Sequence, residues 1–510
     1  MRGWSAVALA AVLVVGAALV VFAGSPPKDS NSATLSAASN PDAADADADG
    51  GSSLAVTAAD PSTGDPNTAD PSTATNSGSP TDTTTDVGTP TNTATGAGPT
   101  GSAGPTTGAS SGTNPTVAPG AKPVTGAVFN NPLGTTAQKQ AIQNRIVELI
   151  NGAPAGSRIR MAMFYASDAT IPKALVAAKG RGVNVQVILN NANPTTEPYA
   201  TLVRGLGTNT STSSWILFCA ADRGCIGNRT LGTAKSLNHN KYFLFSSTGG
   251  ASNVVVQSSA NLNTGRDGLS GWNSALVLVG NNGIYGAYSG YFDDLKARTA
   301  NDNYYSTRAP LQSGDAKVFF YPRKESNGQP YADPTEDTIM TILNNTECRG
   351  NSVVGTGDGT HRTIIRVNMT IFSRAYIAKK LWDLDNAGCY VQVVERYEPT
   401  SKAEVTTMQN LLAKTGSAFG GPIVKYYCSA DSVWTHAKYF QIEGKYYGKA
   451  DRTITWTGSH NWSYNSLRQA DEVMLQSEDP AVFRAFRTNF QAVLGATGIR
   501  SVNNGAAAKC

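Results

Sequence analysis

The pattern of apolar and polar positions divides the chain into three stretches. Ala6 to Ala23 is apolar apart from Gly16, with Arg2 the one charge ahead of it and Gly24-Ser25-Pro26-Pro27 ending any helix behind it. Roughly 18 residues is long for a signal peptide and just enough to span a bilayer, so over 1–24 a cleaved signal and an uncleaved anchor both fit. Either way, the rest of the chain is expected outside the cytoplasm. From Gly24 to about Lys122 there is no Tyr, Trp or Phe, and Ser, Thr, Pro, Gly, Ala, Asp and Asn dominate. Such a stretch buries too little apolar surface to offset chain entropy, so 25–122 reads as a disordered linker or stalk. Its Asp60-Pro61-Ser62-Thr63 returns as Asp70-Pro71-Ser72-Thr73, which is low-complexity repetition rather than a folded unit.

From Val124 onward the pattern becomes periodic, and it repeats. Arg160 to Phe164 reads as a buried strand, Ile171 to Ala178 as a helix, and Gly182 to Leu189 as a second strand. About 206 residues later, Arg366 to Met369, Ala375 to Leu384 and Gly388 to Val394 follow the same plan. Roughly eleven of 29 aligned positions are identical, among them Arg160 with Arg366, Ile171 with Ile377 and Gln186 with Gln392. A strand–helix–strand unit of this length is a parallel crossover. A repeat this long marks a duplicated domain rather than a solenoid. Helical patterns at Ala137 to Ile150 and Glu336 to Leu343 precede the two units. The expected fold class is α/β: two duplicated α/β half-domains with mixed, mostly parallel sheets, the halves running over 123–312 and 313–505. Cys219-Ala220-Ala221-Asp222 matches Cys428-Ser429-Ala430-Asp431, after which the first copy inserts a loop holding Cys225 and Asn228 to Lys235.

Composition changes this picture in two ways. Six cysteines, all beyond residue 218, fit an oxidising compartment. Cys219 and Cys225 are near enough to bridge locally, while Cys348, Cys389, Cys428 and Cys510 leave three pairings open. No C-x-x-C pair occurs, which argues against a structural zinc site. The formal net charge is +4, yet ten of the 37 acidic residues and only three of the 41 basic ones precede residue 123. The folded part therefore carries about +11 and suits an anionic partner such as a phospholipid surface, a nucleic acid or a wall polymer.

The candidate chemistry lies at matched places in the repeat. Two of the four histidines occur as His239-Asn240-Lys241-Tyr242-Phe243 and His436-Ala437-Lys438-Tyr439-Phe440. Period-2 alternation puts each His and its Lys on one face of a strand-like stretch. Downstream come Ser259-Ala260-Asn261 and Ser459-His460-Asn461. An imidazole serves as nucleophile or proton carrier near neutral pH, lysine supplies a point charge, and Ser and Asn supply neutral donors for phosphoryl oxygens. Two such sets facing each other suit phosphodiester cleavage through a phosphohistidine, with the second His as general acid and base. No metal or other cofactor is required of that scheme. His361 sits in a Gly/Asp/Thr-rich turn and reads as solvated. His460 is expected to line the site without doing chemistry. Trp215, Trp272 and Trp456 read as core, with Trp434 and Trp462 as candidate walls of a substrate rim.

Over about residues 123 to 505 the chain resembles the phospholipase D superfamily, whose signature is H-x-K-x-x-x-x-D followed by G-S-x-N. The resemblance implies two α/β halves around a pseudo-two-fold axis, with one active site at the seam. It also implies His239 as nucleophile and His436 as general acid/base. Lys241, Lys438, Asn261 and Asn461 would bind the phosphate, helped by Ser259 and Ser459. A family carboxylate that orients a catalytic His falls at Asp471-Glu472, whereas the first copy reads Asn273-Ser274. The signature's Asp is Ser246 in the first copy and Glu443 in the second, and Ser258 replaces the Gly. The first half thus reads as the degenerate one. The expected partner is a phospholipid or other phosphodiester at a membrane surface, with the chain acting as a monomer. A secreted nuclease and a weakly catalytic wall-associated binding module are the alternatives.

Overall fold

The computed structural model describes residues 122–191, 197–413 and 419–510, so the export segment and the linker up to residue 121 lie outside the described residues. Among the described residues no helix is long and apolar enough to cross a membrane.

Two mixed sheets carry the chain. The seven-stranded sheet runs in the order Gly126–Phe129, Ser274–Val279, Ala251–Ser258, Lys241–Thr248, Arg158–Met163, Asn184–Leu189 and Trp215–Phe218. The larger sheet repeats that centre as Val473–Ser477, Lys449–Gly458, Lys438–Tyr446, Ile364–Met369, Tyr390–Tyr397 and Ile423–Cys428. Leu311–Ser313 and Ala316–Phe320 extend it at one edge and Arg500–Val502 at the other. The crossover helices are Thr170–Gly180 and Ala375–Asn386. Within the sheets, parallel pairing is confined to Arg158–Met163, Asn184–Leu189 and Trp215–Phe218 in the first half and to Ile364–Met369, Tyr390–Tyr397 and Ile423–Cys428 in the second. The expectation of mostly parallel sheets is corrected on this point, because the other strand pairs within the sheets are antiparallel. The H-x-K and S-x-N segments do not belong to crossovers. They bracket hairpins, closed in the first half by Gly249-Gly250, both with positive φ, and in the second by Tyr447-Gly448.

Each sheet buries one face against its own helices and turns the other toward its partner half. The shared core places Trp215, Tyr242, Leu244, Tyr288 and Tyr291 of the first half with Val318, Phe320, Tyr439 and Phe486 of the second. Phe486, on the helix Pro480–Leu494, packs its ring edge-on against Phe129 at 5.0 Å and Tyr439 at 4.9 Å. The halves also exchange short bridges in a two-fold manner: Asn238 pairs with Asp471, and Thr435 pairs with Trp272. Since Asn238 and Thr435 precede the two matched histidines, these bridges bring both motifs to one seam.

The disulfides are Cys219–Cys225, Cys348–Cys389 and Cys428–Cys510, which fixes the pairing that spacing left open. The last ties the chain end to the strand Ile423–Cys428, and Tyr426 Oη reinforces it by accepting from Lys509 N at 2.8 Å.

Candidate active site

The strand of each H-x-K motif begins at its lysine, and the histidine stands two residues earlier in an extended segment. Lys241 Nζ donates to His239 O and Lys438 Nζ to His436 O, both at 3.0 Å, so each ammonium is held under its own histidine. The histidines are fixed from the opposite half. His239 N donates to Asp471 O at 3.0 Å, and His436 N donates to Trp272 O at 2.9 Å. One residue further on, Glu472 Oε1 lies 2.7 Å from His239 Nδ1, and Asn273 Oδ1 lies 3.1 Å from His436 Nδ1.

This crossing shows that the carboxylate missing from the first half is missing beside the second histidine. The carboxylate at the end of the second half serves the first histidine, and the amide at the end of the first half serves the second. Asn273 is oriented by its own contacts: Nδ2 donates to Gly268 O at 2.8 Å and Oδ1 accepts from Ser259 Oγ at 2.8 Å. Its oxygen therefore faces His436, whose Nδ1 carries the proton. Glu472 is fully buried and its Oε1 accepts from Ser466 Oγ at 2.7 Å, which aims it at His239.

The Asp471 side chain does not reach a histidine, and the role expected of its carboxylate is corrected. Its carboxylate accepts from Cys225 N at 2.6 Å, Ile226 N at 3.2 Å and Gly227 N at 2.7 Å, all in the loop that the first copy inserts. Burial pushes this carboxyl up, to about 7, against the pull of the three amides.

Ser259 and Ser459 hold the adjoining strands: Ser274 N donates to Ser259 Oγ at 3.0 Å and Val473 N to Ser459 Oγ at 3.1 Å. That tie places Asn261 and Asn461 at the strand mouths. Asn261 Nδ2 donates to Asp267 Oδ2 at 2.8 Å, and the side-chain oxygens of both asparagines are buried without a partner among the described residues. Arg374, fully buried on Asp337, donates to Asn461 O at 3.5 Å and was not legible as a site residue. Glu443 and Ser246, at the signature's Asp position, lie away from the chemistry. Glu443 pairs with Arg366 at 2.7 Å, and in the first half Asp293 takes over by pairing with Arg160 at 2.9 Å.

The two sides of the site differ in polarity. Phe164 packs edge-on to His239 at 5.0 Å with Lys241 Nζ 5.0 Å from its ring centroid. At the matched position Thr370 accepts from Lys438 Nζ at 3.1 Å. The rim expected at Trp434 and Trp462 is corrected: both are buried. Trp462 packs between Phe372 and Phe440, while Trp434 lies under the Arg266 guanidinium at 3.7 Å with that of Arg396 at 5.4 Å. His460 is buried and stacks on Tyr321 at 4.3 Å. Burial, with the nearby charges of Arg374 and His239, holds it well below the ordinary imidazole range.

Residues 146–296 and 360–494, more than half of the chain, match the family described as "Cardiolipin synthase, PLD-like domain". No curated protein matches the chain in sequence. Similar solved structures include the polyphosphate kinase of Porphyromonas gingivalis, at 13% identity over 74% of this chain and 48% of that one, with a TM-score of 0.47. The chain thus spans about half the length of that kinase. The phosphatidylserine synthase of Haemophilus influenzae aligns at 11% identity over 75% of this chain and 89% of that one, TM-score 0.47. Nuc of Salmonella typhimurium, a phospholipase D family member, aligns at 17% identity over 35% of this chain and 96% of that one, TM-score 0.25. The family match falls on both halves, each with its own H-x-K and S-x-N, and the chain belongs to the phospholipase D-like family.

Proposed function

We propose that the protein is an exported phosphodiesterase of phospholipase D type that cleaves a phospholipid headgroup ester through a phosphohistidine intermediate. The observation that carries this reading is the unequal backing of the two histidines across the seam. With its Nδ1–H given to Glu472, His239 presents Nε2 as nucleophile, and the carboxylate stabilises the cationic phosphoimidazole that forms on attack. His436 is backed by the neutral Asn273 rather than by a carboxylate, and it serves as the general acid that protonates the leaving alkoxide. After departure it takes a proton from the incoming water or alcohol, which then displaces His239 from phosphorus. Lys241, Lys438, Asn261 and Asn461 hold the phosphoryl oxygens.

A lipid substrate is favoured by Phe164, an apolar wall beside the nucleophile, and by the family's description as a cardiolipin synthase. The test incubates the full chain with EDTA against phosphatidylcholine or phosphatidylglycerol vesicles and, in parallel, plasmid DNA. Headgroup release that is lost in His239→Ala and in His436→Ala supports the lipase. DNA cleavage with the same dependence replaces it with a nuclease, and no turnover of either substrate removes both readings.

A further inference from the structure

The loop inserted in the first half has no counterpart in the second, and three successive amides of it converge on one residue. Asp471 is fully buried and joins two segments of the opposite half at once. Its main chain pairs with the segment leading to His239: Asp471 N donates to Leu237 O at 2.9 Å, and Asp471 O accepts from His239 N at 3.0 Å. Its side chain sits in the concave row of amides offered by Cys225, Ile226 and Gly227. The Cys219–Cys225 disulfide closes that row onto the end of the strand Trp215–Phe218, and both sulfurs lie within 4.8 Å of the carboxylate. The approach is close enough to demand glycine: a Cβ at Gly227 would stand 1.9 Å from Gln469 O, and one at Gly224 2.7 Å from Asp471 Oδ2. Gln469 adds two further ties, donating to Arg229 O at 3.1 Å and Ala234 O at 2.8 Å.

The two-fold mate shows that seam pairing alone does not call for a carboxylate. At the position matched to Asp471 stands Trp272, which makes the same main-chain pairing to His436 and sends its indole N–H to Tyr427 Oη at 3.1 Å. A buried carboxylate is costly unless its hydrogen bonds are met. That cost falls where the next residue, Glu472, must meet His239 Nδ1.

We propose that Asp471 is a positioning residue which, through the disulfide-closed loop over 219–227, locks the Asp471-Glu472 segment so that the Glu472 carboxylate stays on His239. The loop is thereby part of the active site without touching substrate, and it acts on one histidine of the two. The consequence for turnover rests on the nucleophilic role proposed for His239, whereas the geometric consequence does not.

The test labels histidine with nitrogen-15 in the full chain and follows the ring Nδ1–H protons of His239 and His436 by NMR at pH 8. The variants are Asp471→Asn, in which an amide N–H is turned toward the loop amides, and Cys219→Ser/Cys225→Ser, in which the loop is released without altering Asp471. The expected result is loss of the slowly exchanging His239 Nδ1–H signal in both variants, with the His436 signal unchanged. kcat on a cleaved phosphodiester should fall at least about tenfold at constant KM, following loss of the partner that orients the base. An unchanged His239 signal in both variants overturns the proposal. So does equal loss at both histidines, which marks a general folding role. If no phosphodiester is cleaved by the wild type, the proposed function fails while the two signals still decide the clamp.

Discussion

Glu472 and His239 are 233 positions apart in sequence and 2.7 Å apart in space, and they belong to opposite halves of the molecule. Asn273 and His436 form the mirrored pair at 3.1 Å. The duplicated halves are thus interlocked, each supplying the group that orients the other's imidazole.

The carboxylate of that first pair is expected to matter more than its size suggests. Glu472→Gln keeps the shape but allows the amide to favour the wrong imidazole tautomer. Turnover should fall by about a hundred- to ten-thousandfold with little change in KM. Steady-state kinetics on whichever phosphodiester the wild type cleaves check this. A drop of less than tenfold would mean the contact does not set the tautomer.

Restoring a carboxylate to the other histidine makes the site symmetric. In Asn273→Asp the new charge favours protonated His436, so the alkaline limb of the kcat/KM profile should move up by about one pH unit or more. Gly268 O would then face an oxygen instead of an N–H, at a cost of about 1–3 kcal/mol in stability. A pH–rate profile with its alkaline limb unmoved would argue against His436 as the general acid.

Beneath Asn461 the fully buried pair Arg374–Asp337 carries a different risk. Asp337 also caps the helix Thr338–Asn344 and accepts from Tyr376 Oη at 2.7 Å. Asp337→Ala leaves a guanidinium uncompensated in the core and should cost about 3–5 kcal/mol. Urea unfolding gives the number, and a loss below 1 kcal/mol would show that Arg374 finds another partner.

His460 gives the protein an acid-labile point. The folded state keeps this imidazole neutral well below 6.5, while an unfolded chain takes up the proton near its ordinary value. The unfolded state therefore binds more protons at low pH, and stability due to His460 is complete above about 6.5 and declines as pH falls below it. Thermal midpoints at pH 8 and pH 5 should differ less in His460→Ala than in wild type. Identical differences would place the acid sensitivity elsewhere.

The shared core predicts that the halves unfold together. Phe486 touches both sheets, and Phe486→Ala should remove about 3–5 kcal/mol from one common transition rather than from one half. Two separate calorimetric transitions would contradict this.

Much of this architecture was legible in the chain because it is written locally. The period-2 runs around Val185 and Val391, the helices between matched strands, and the paired H-x-K and S-x-N segments all depend on neighbours within a few residues, so duplication preserves them in sequence. The seam is not written that way. Nothing near Glu472 names His239 as its partner, and counting carboxylates within each half does not say which histidine the deficit falls on. Asp471 and Glu472 read as one pair of supporting carboxylates. In the fold, successive residues of an extended segment point to opposite sides, which sends Asp471 to the inserted loop and Glu472 to the imidazole. Trp462 and Trp434 looked like rim residues because sequence proximity to a motif says nothing about which face of the sheet is covered. The sequence determined which groups the site contains and that there are two sets of them. Only the packing of one sheet on the other decided which group serves which histidine, because hydrogen bonds depend on distance in space, and the two-fold seam exchanges those distances between the halves.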